Sequence, residues 1–129
     1  MNINHKRGVI HLVKLNYGRH LPAFILLFLA KEPTYGSKLL NMMEEYLPFN
    51  NADSPAIYRA LGELEKLEAV HSYWDTSSPG AAKKCYTITN IGLEQLKQFK
   101  TDIENRKRNF DFFLSEFENI NFEDMEDNK

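Results

Sequence analysis

Cysteine is almost absent. The 129 residues hold one, Cys85, so no internal disulfide can form. His5, His11, His20 and His71 are scattered, and no Cys/His cluster has metal-ligand spacing. There is no Gly-rich phosphate loop, no pair of catalytic carboxylates and no Ser/His/Asp set. Thr76-Ser77-Ser78 beside His71 reads as a polar turn rather than a nucleophile and its base. An enzyme is therefore not expected, nor is a metal or a cofactor. The apolar run Leu21–Ala30 is too short to span a bilayer. Lys14 interrupts the apolar stretch after Lys6 and Arg7, so no export signal is expected. A reducing cytoplasm is the expected location, with no membrane partner.

Acid is missing from one end and base is scarce at the other, although the net charge is only −2. Residues 1–20 carry Lys6, Arg7, Lys14 and Arg19 with no acid. Residues 116–129 carry Glu116, Glu118, Glu123, Asp124, Glu126 and Asp127 against Lys129. The first stretch is read as a basic arm whose Lys6 and Arg7 lie on phosphates, or else as a solvated terminus. Leu12–Tyr17 within it is too short a pattern to assign. The acidic stretch, residues 119–129, has too few apolar residues after Phe122 to fold alone and is expected to be disordered.

Between these ends the helical pattern is clear. Leu21–Lys31 leaves little polar face and reads as a buried first helix with Pro22 in its first turn. Glu32-Pro33-Thr34-Tyr35-Gly36 reads as a turn. Ser37–Tyr46 is a second helix, with Leu39, Leu40, Met43 and Leu47 inward. A third helix starts at Ser54, capped by Asp53 or Ser54, with Ile57, Leu61, Leu64 and Leu67 on one stripe. Its other face shows Tyr58, Arg59 and Gly62, with Ser54 at the tip. A hydroxyl and an arginine there suit bases or phosphates in a DNA major groove; the plain alternative is a core helix with a wet outer face.

After Glu68 the period changes to that of strands. Ala69–Trp74 and Lys83–Ile88 flank the turn cluster Asp75–Gly80, giving a hairpin that ends in Lys83 and Lys84. Thr89 caps a last helix whose residues Leu96, Phe99, Ile103, Arg106, Phe110, Phe113 and Phe117 repeat at alternating spacings of three and four. Over residues 90–117 it would be about 42 Å long. The domain body cannot cover such a stripe from one side, so a second copy is expected to cover it, with those apolar residues as the dimer interface. Arg106 breaks the seam, fixing register or marking a kink.

Three helices, a hairpin and a long helix make a mainly α, α+β chain. This is the order of a three-helix winged helix-turn-helix with a two-stranded wing and a C-terminal dimerisation helix. The parts run as a basic arm (1–20), a winged helix-turn-helix domain (21–90), a dimerisation helix (91–118) and an acidic tail (119–129). The residues Phe24–Ala30, Pro33-Thr34-Tyr35-Gly36, Ile57-Tyr58-Arg59-Ala60-Leu61, Leu64-Glu65-Lys66, Tyr73-Trp74, Lys83-Lys84-Cys85-Tyr86 and Ile88-Thr89 with Gly92 resemble the PadR family of bacterial transcriptional regulators. Trp74–Ser77 with Gly80–Lys84 more distantly resembles its polyhydroxybutyrate-responsive subgroup.

The resemblance implies a homodimer that binds a double-stranded DNA operator, usually as a repressor. It implies DNA contacts for Tyr58 and Arg59 on the third helix and for Lys83 and Lys84 at the wing, with Tyr35 and Gly36 positioning the second helix. Gly62 and Glu63 stand where the family commonly has basic residues. Leu67 and Glu68 stand where it usually has an acid and a glycine. Residues 54–70 carry Arg59 and Lys66 against Glu63, Glu65 and Glu68, a net −1. That charge motivates the alternative of a winged-helix interaction module with little DNA affinity. Where some members carry a tryptophan that sandwiches flat ligands between two copies, Ile103 stands here. No small-molecule effector can be named; a cavity lined by Phe99, Ile103 and Phe110 is the alternative to a dry seam.

Overall fold

The structure is a computed structural model that describes residues 20–50, 52–77 and 79–127. Leu12–Tyr17, Lys6 and Arg7 lie outside the described residues. The elements are α1 (Leu21–Lys31), β1 (Thr34–Tyr35), α2 (Gly36–Tyr46), α3 (Ser54–Lys66), β2 (Val70–Asp75), β3 (Lys83–Ile88), α4 (Asn90–Glu118) and α5 (Phe122–Asp127). They fall into two compact units, one ending at Lys97 and one starting at Gln98.

The core of the first unit is built from one stripe of each helix. Ile25, Leu26 and Leu29 of α1, Leu39 and Met43 of α2, and Ile57, Leu61 and Leu64 of α3 are all shut off from water, with Val70 of β2. Each side chain of this size contributes about 1.5–3 kcal/mol when fully buried. Leu40 and Leu47 are only half-buried, and Leu67 is exposed past the end of α3. The expected stripe therefore ends at Leu64. Helix α1 carries Pro22 in its first turn and stops where the Glu32 amide donates to Phe28, just before Pro33. Helix α3 is capped by Asp53, whose side chain accepts from the Ala56 amide at 3.0 Å.

The sheet has three strands, not two. Its order is β1-β3-β2, antiparallel throughout. The expected turn at Glu32–Gly36 contains strand β1, where Thr34 opposes Tyr86 and Tyr35 opposes Cys85. Two residues are too few to show a strand period, and Pro33 is tolerated because it precedes an edge strand.

The joint between α3, β2 and α4 is tightly made. The Ala69 amide donates to the Leu64 carbonyl at 2.9 Å and the Glu68 amide to that of Glu65 at 3.0 Å. This is the paired hydrogen bonding of a Schellman helix end, with Glu68 in the left-handed conformation at φ 61°. Thr89 donates its amide to the Ala69 carbonyl at 3.0 Å and its hydroxyl to the Glu68 carbonyl at 2.6 Å. Its Oγ1 also accepts from the Gly92 amide at 3.1 Å, capping α4. A Cβ at Gly92 would collide with the Ala69 carbonyl oxygen.

In the second unit α4 continues unbroken to Glu118, so Arg106 marks no break; its Nε donates to Asp102 at 3.0 Å. Phe99 is only 4% exposed in the single chain. Little of its surface is left for a second copy to cover. Ile103, Phe110, Phe113 and Phe117 are exposed, as are Phe112 and Leu114; Leu96, in the first unit, is half-buried. The tail after Phe122, expected to be disordered, forms helix α5. Asn121 accepts from the Asp124 amide, and Glu123 and Asp124 suit the positive end of its dipole. The Phe122 ring packs 5.2 Å from that of Phe117.

A non-glycine residue in the left-handed conformation costs roughly 1–2 kcal/mol. Glu68→Gly is therefore expected to stabilise the fold by about 1 kcal/mol in urea unfolding. Gly92→Ala should destabilise it by more, since backbone must shift. A Glu68→Gly variant less stable than its parent would refute the strain.

Candidate nucleic-acid interface

Helix α3 buries Ala56, Ile57, Ala60, Leu61 and Leu64, which turns Ser54, Tyr58 and Arg59 outward. The Tyr58 ring lies over the first residue of α2. A Cβ at Gly36 would stand 2.5 Å from Tyr58 Cε1, so a larger residue there would turn the ring aside. The tyrosine and the glycine together set how close the start of α2 comes to α3.

Strands β2 and β3 form the wing. On one face of the pair Val70 opposes Ile88, Ser72 opposes Tyr86 and Trp74 opposes Lys84; on the other, Tyr73 opposes Cys85 and Asp75 opposes Lys83. The buried end of the first face lies toward the core, and its outer end opens into a groove of about 460 Å³. Tyr35, Ser37, Tyr58, Trp74, Ala82, Lys83, Lys84 and Tyr86 line it. Trp74 is 65% exposed there.

An acid lies against one wing lysine and an aromatic ring against the other. Lys84 Nζ lies 3.8 Å from Glu65 Oε1 and 5.6 Å from the Tyr86 ring centre. Glu65 also accepts from the Ser72 hydroxyl. Lys83 Nζ lies 5.1 Å from the centre of the Tyr35 ring. Tyr35 donates its hydroxyl to Asp75 at 2.9 Å, and the Ser77 hydroxyl and amide donate to the same carboxylate at 2.6 and 3.0 Å. The Ser77 hydroxyl, the Ser77 amide, the Tyr35 hydroxyl and the nearby Lys83 charge together hold the Asp75 carboxyl below its usual range. That hydrogen bond and the Asp75 charge push the Tyr35 phenol up.

Of the residues singled out from the sequence, the groove brings together Tyr58, Lys83 and Lys84. Ser54 and Arg59 are exposed on α3 outside its lining. Glu63, one turn on from Arg59, lies 3.6 Å from Lys66. Ser37, Trp74, Tyr86, Glu65 and Asp75 were not singled out as site residues. Trp74, Lys84 and Tyr86 share one face of the hairpin, a parity visible in the sequence, whereas Lys83 is on the other face. Glu65 meets Lys84, and Asp75 meets Tyr35, only through the fold. Among the described residues no group of three or more His, Cys, Asp or Glu could hold a metal ion, and no helix is long and apolar enough to cross a membrane.

Residues 25–98, spanning α1 through the start of α4, match the transcriptional regulator PadR-like family. The chain belongs to that family. A crystal structure of a PadR family transcription regulator from Clostridium difficile superposes with a TM-score of 0.65 at 26% identity, over 74% of this chain and 98% of the other. A PadR-like transcriptional regulator from Bacillus cereus gives 0.62 at 28% identity, over 74% and 91%. An uncharacterized protein of Lysinibacillus sphaericus is 26% identical over 102 residues, 77% of this chain and 92% of its own. The family is one of transcriptional regulators.

Asp75 yields a pH prediction. A carboxyl held below its ordinary value adds stability above that value and loses it as pH falls through the lowered one. Asp75→Asn is expected to lower Tm at neutral pH. The gap from the parent should close as pH drops below the ordinary 3.8. A gap that stays constant into acid would remove Asp75 as the holder of the wing.

Proposed function

We propose that two copies of this chain form a repressor that binds a double-stranded operator. The observation that carries this reading is the groove where Tyr58 of α3 meets Lys83 and Lys84 of the wing. With α3 in a major groove, Arg59 donates twice to a guanine, a contact worth about 1–3 kcal/mol of discrimination. Ser54 and Tyr58 donate to phosphate oxygens. Lys83 and Lys84 exchange their carboxylate and aromatic neighbours for phosphates, and Lys6 and Arg7 of the arm add further neutralisation. The reducing cytoplasm is the compartment for such a protein.

The second copy is supported by α4 beyond Gln98. Ile103, Phe110, Phe113, Leu114 and Phe117 recur at helical spacing and are exposed, while Phe112 stands on the opposite side. Phe110→Glu with Phe113→Glu is expected to give monomers in sedimentation, and Phe112→Glu to leave the dimer intact. A dimer unaffected by the double change would displace the seam.

The alternative, an interaction module without DNA affinity, draws on Glu65, which already occupies Lys84. Salt dependence separates the two. Fluorescence anisotropy with a duplex should show binding that weakens steeply with salt. Lys83→Ala with Lys84→Ala should remove up to about two units from the slope. Glu65→Gln should tighten binding by freeing Lys84. No binding by the parent chain at low salt would favour the interaction module.

A further inference from the structure

Four of the chain's glycines lie among the described residues, and three have a structural reason. Gly36 makes room for the Tyr58 ring, Gly92 makes room for the Ala69 carbonyl, and Gly80 takes φ +105° in the wing turn. Gly62 has none of these. It sits inside α3, where glycine is the poorest helix former after proline. Among the described residues, a Cβ added there would meet nothing within 4 Å. A costly residue therefore occupies a helix interior that would accept alanine.

Its place on the helix is specific. Gly62 lies one turn after Tyr58 and Arg59 and one turn before Glu65 and Lys66, on the side away from Leu61 and Leu64. It leaves a bare strip of backbone on the outward side of α3. Bare backbone in a helix face permits the close approach of a ligand that a methyl would block.

We propose that Gly62 is the seat at which double-stranded DNA comes closest to α3, letting the helix sink deeper into the major groove than a side chain there would allow. The assignment rests on the operator-binding reading above. Close seating exists only on a duplex that fits, so Gly62 acts on specific binding. On random duplexes the helix rides higher on phosphate contacts, and a methyl at this position is harmless.

The test uses the full chain and a duplex enriched from a random-sequence pool by the parent protein. Urea unfolding and fluorescence anisotropy are measured on Gly62→Ala and Gly62→Leu. Gly62→Ala should unfold at higher urea yet bind the enriched duplex on the order of tenfold more weakly. Gly62→Leu should bind it more weakly still, and random duplex should be bound by all three proteins alike. Equal affinity of Gly62→Ala and the parent for the enriched duplex would overturn the proposal. So would a less stable Gly62→Ala, because the glycine would then serve the fold. If the parent neither enriches a duplex nor binds one at low salt, operator binding itself fails and the seat falls with it.

Discussion

The peptide unit of Ala69 is the constraint on which the first unit depends. Its amide ends α3 by donating to Leu64, and its carbonyl receives the Thr89 amide. The same carbonyl leaves no room for a Cβ at Gly92. One residue thus ties together the end of the outward-facing helix, the start of the wing and the start of the long helix. Ala69 is fully buried, so hydrogen bonds left unmade there would cost about 1–3 kcal/mol each. Glu68 accepts a left-handed backbone so that this joint can close. The strain sits on a single exposed side chain, and the gain is shared by three elements.

The putting together of α3 and the wing also sets their electrostatics. The lysines that would meet phosphate are each within reach of an acid: Lys84 against Glu65, and Lys83 opposite Asp75. Exposed ion pairs contribute little to stability, about 0–1 kcal/mol. These pairs matter more as competitors. A phosphate must displace Glu65 to take Lys84, so part of the free energy of counterion release offsets a lost contact. In the operator-binding proposal such competition would lower nonspecific affinity and leave the choice of sequence to shape and to Arg59.

Helices α1, α2 and α3 were legible because their buried residues recur at helical spacing and because Asp53, Pro22 and Pro33 mark ends by simple backbone chemistry. The hairpin and the Thr89 cap were legible for the same reasons. Strand β1 was not, since two residues carry no period and its partner Tyr86 lies far along the chain. Helix α5 was hidden by its acids; a single ring, Phe122 on Phe117, and a cap from Asn121 accompany its formation. Phe99 fitted the heptad, yet the spacing of a stripe cannot tell which of its residues is already covered within one chain. The groove was half legible. Tyr58, Lys83 and Lys84 were visible as types, whereas Glu65 and Asp75 acquire their meaning only when folding brings them to Lys84 and Tyr35.

These observations separate two kinds of position on the first unit. Gly36, Ala69 and Gly92 are held by contact: a larger side chain at either glycine would strike a ring or a backbone oxygen. Ser54, Arg59, Gly62 and Glu63 are not among the buried residues of α3. The first kind must stay for the elements to meet, and the second can change without loss of packing. That physical independence lets the outward positions of α3 vary while its frame still superposes on PadR regulators at 26% and 28% identity. If operator binding holds, a bare backbone in place of bulk and charge would weaken long-range attraction and give more weight to fit at close range, so that the sequence a duplex must present would be set by how near it can come to the helix.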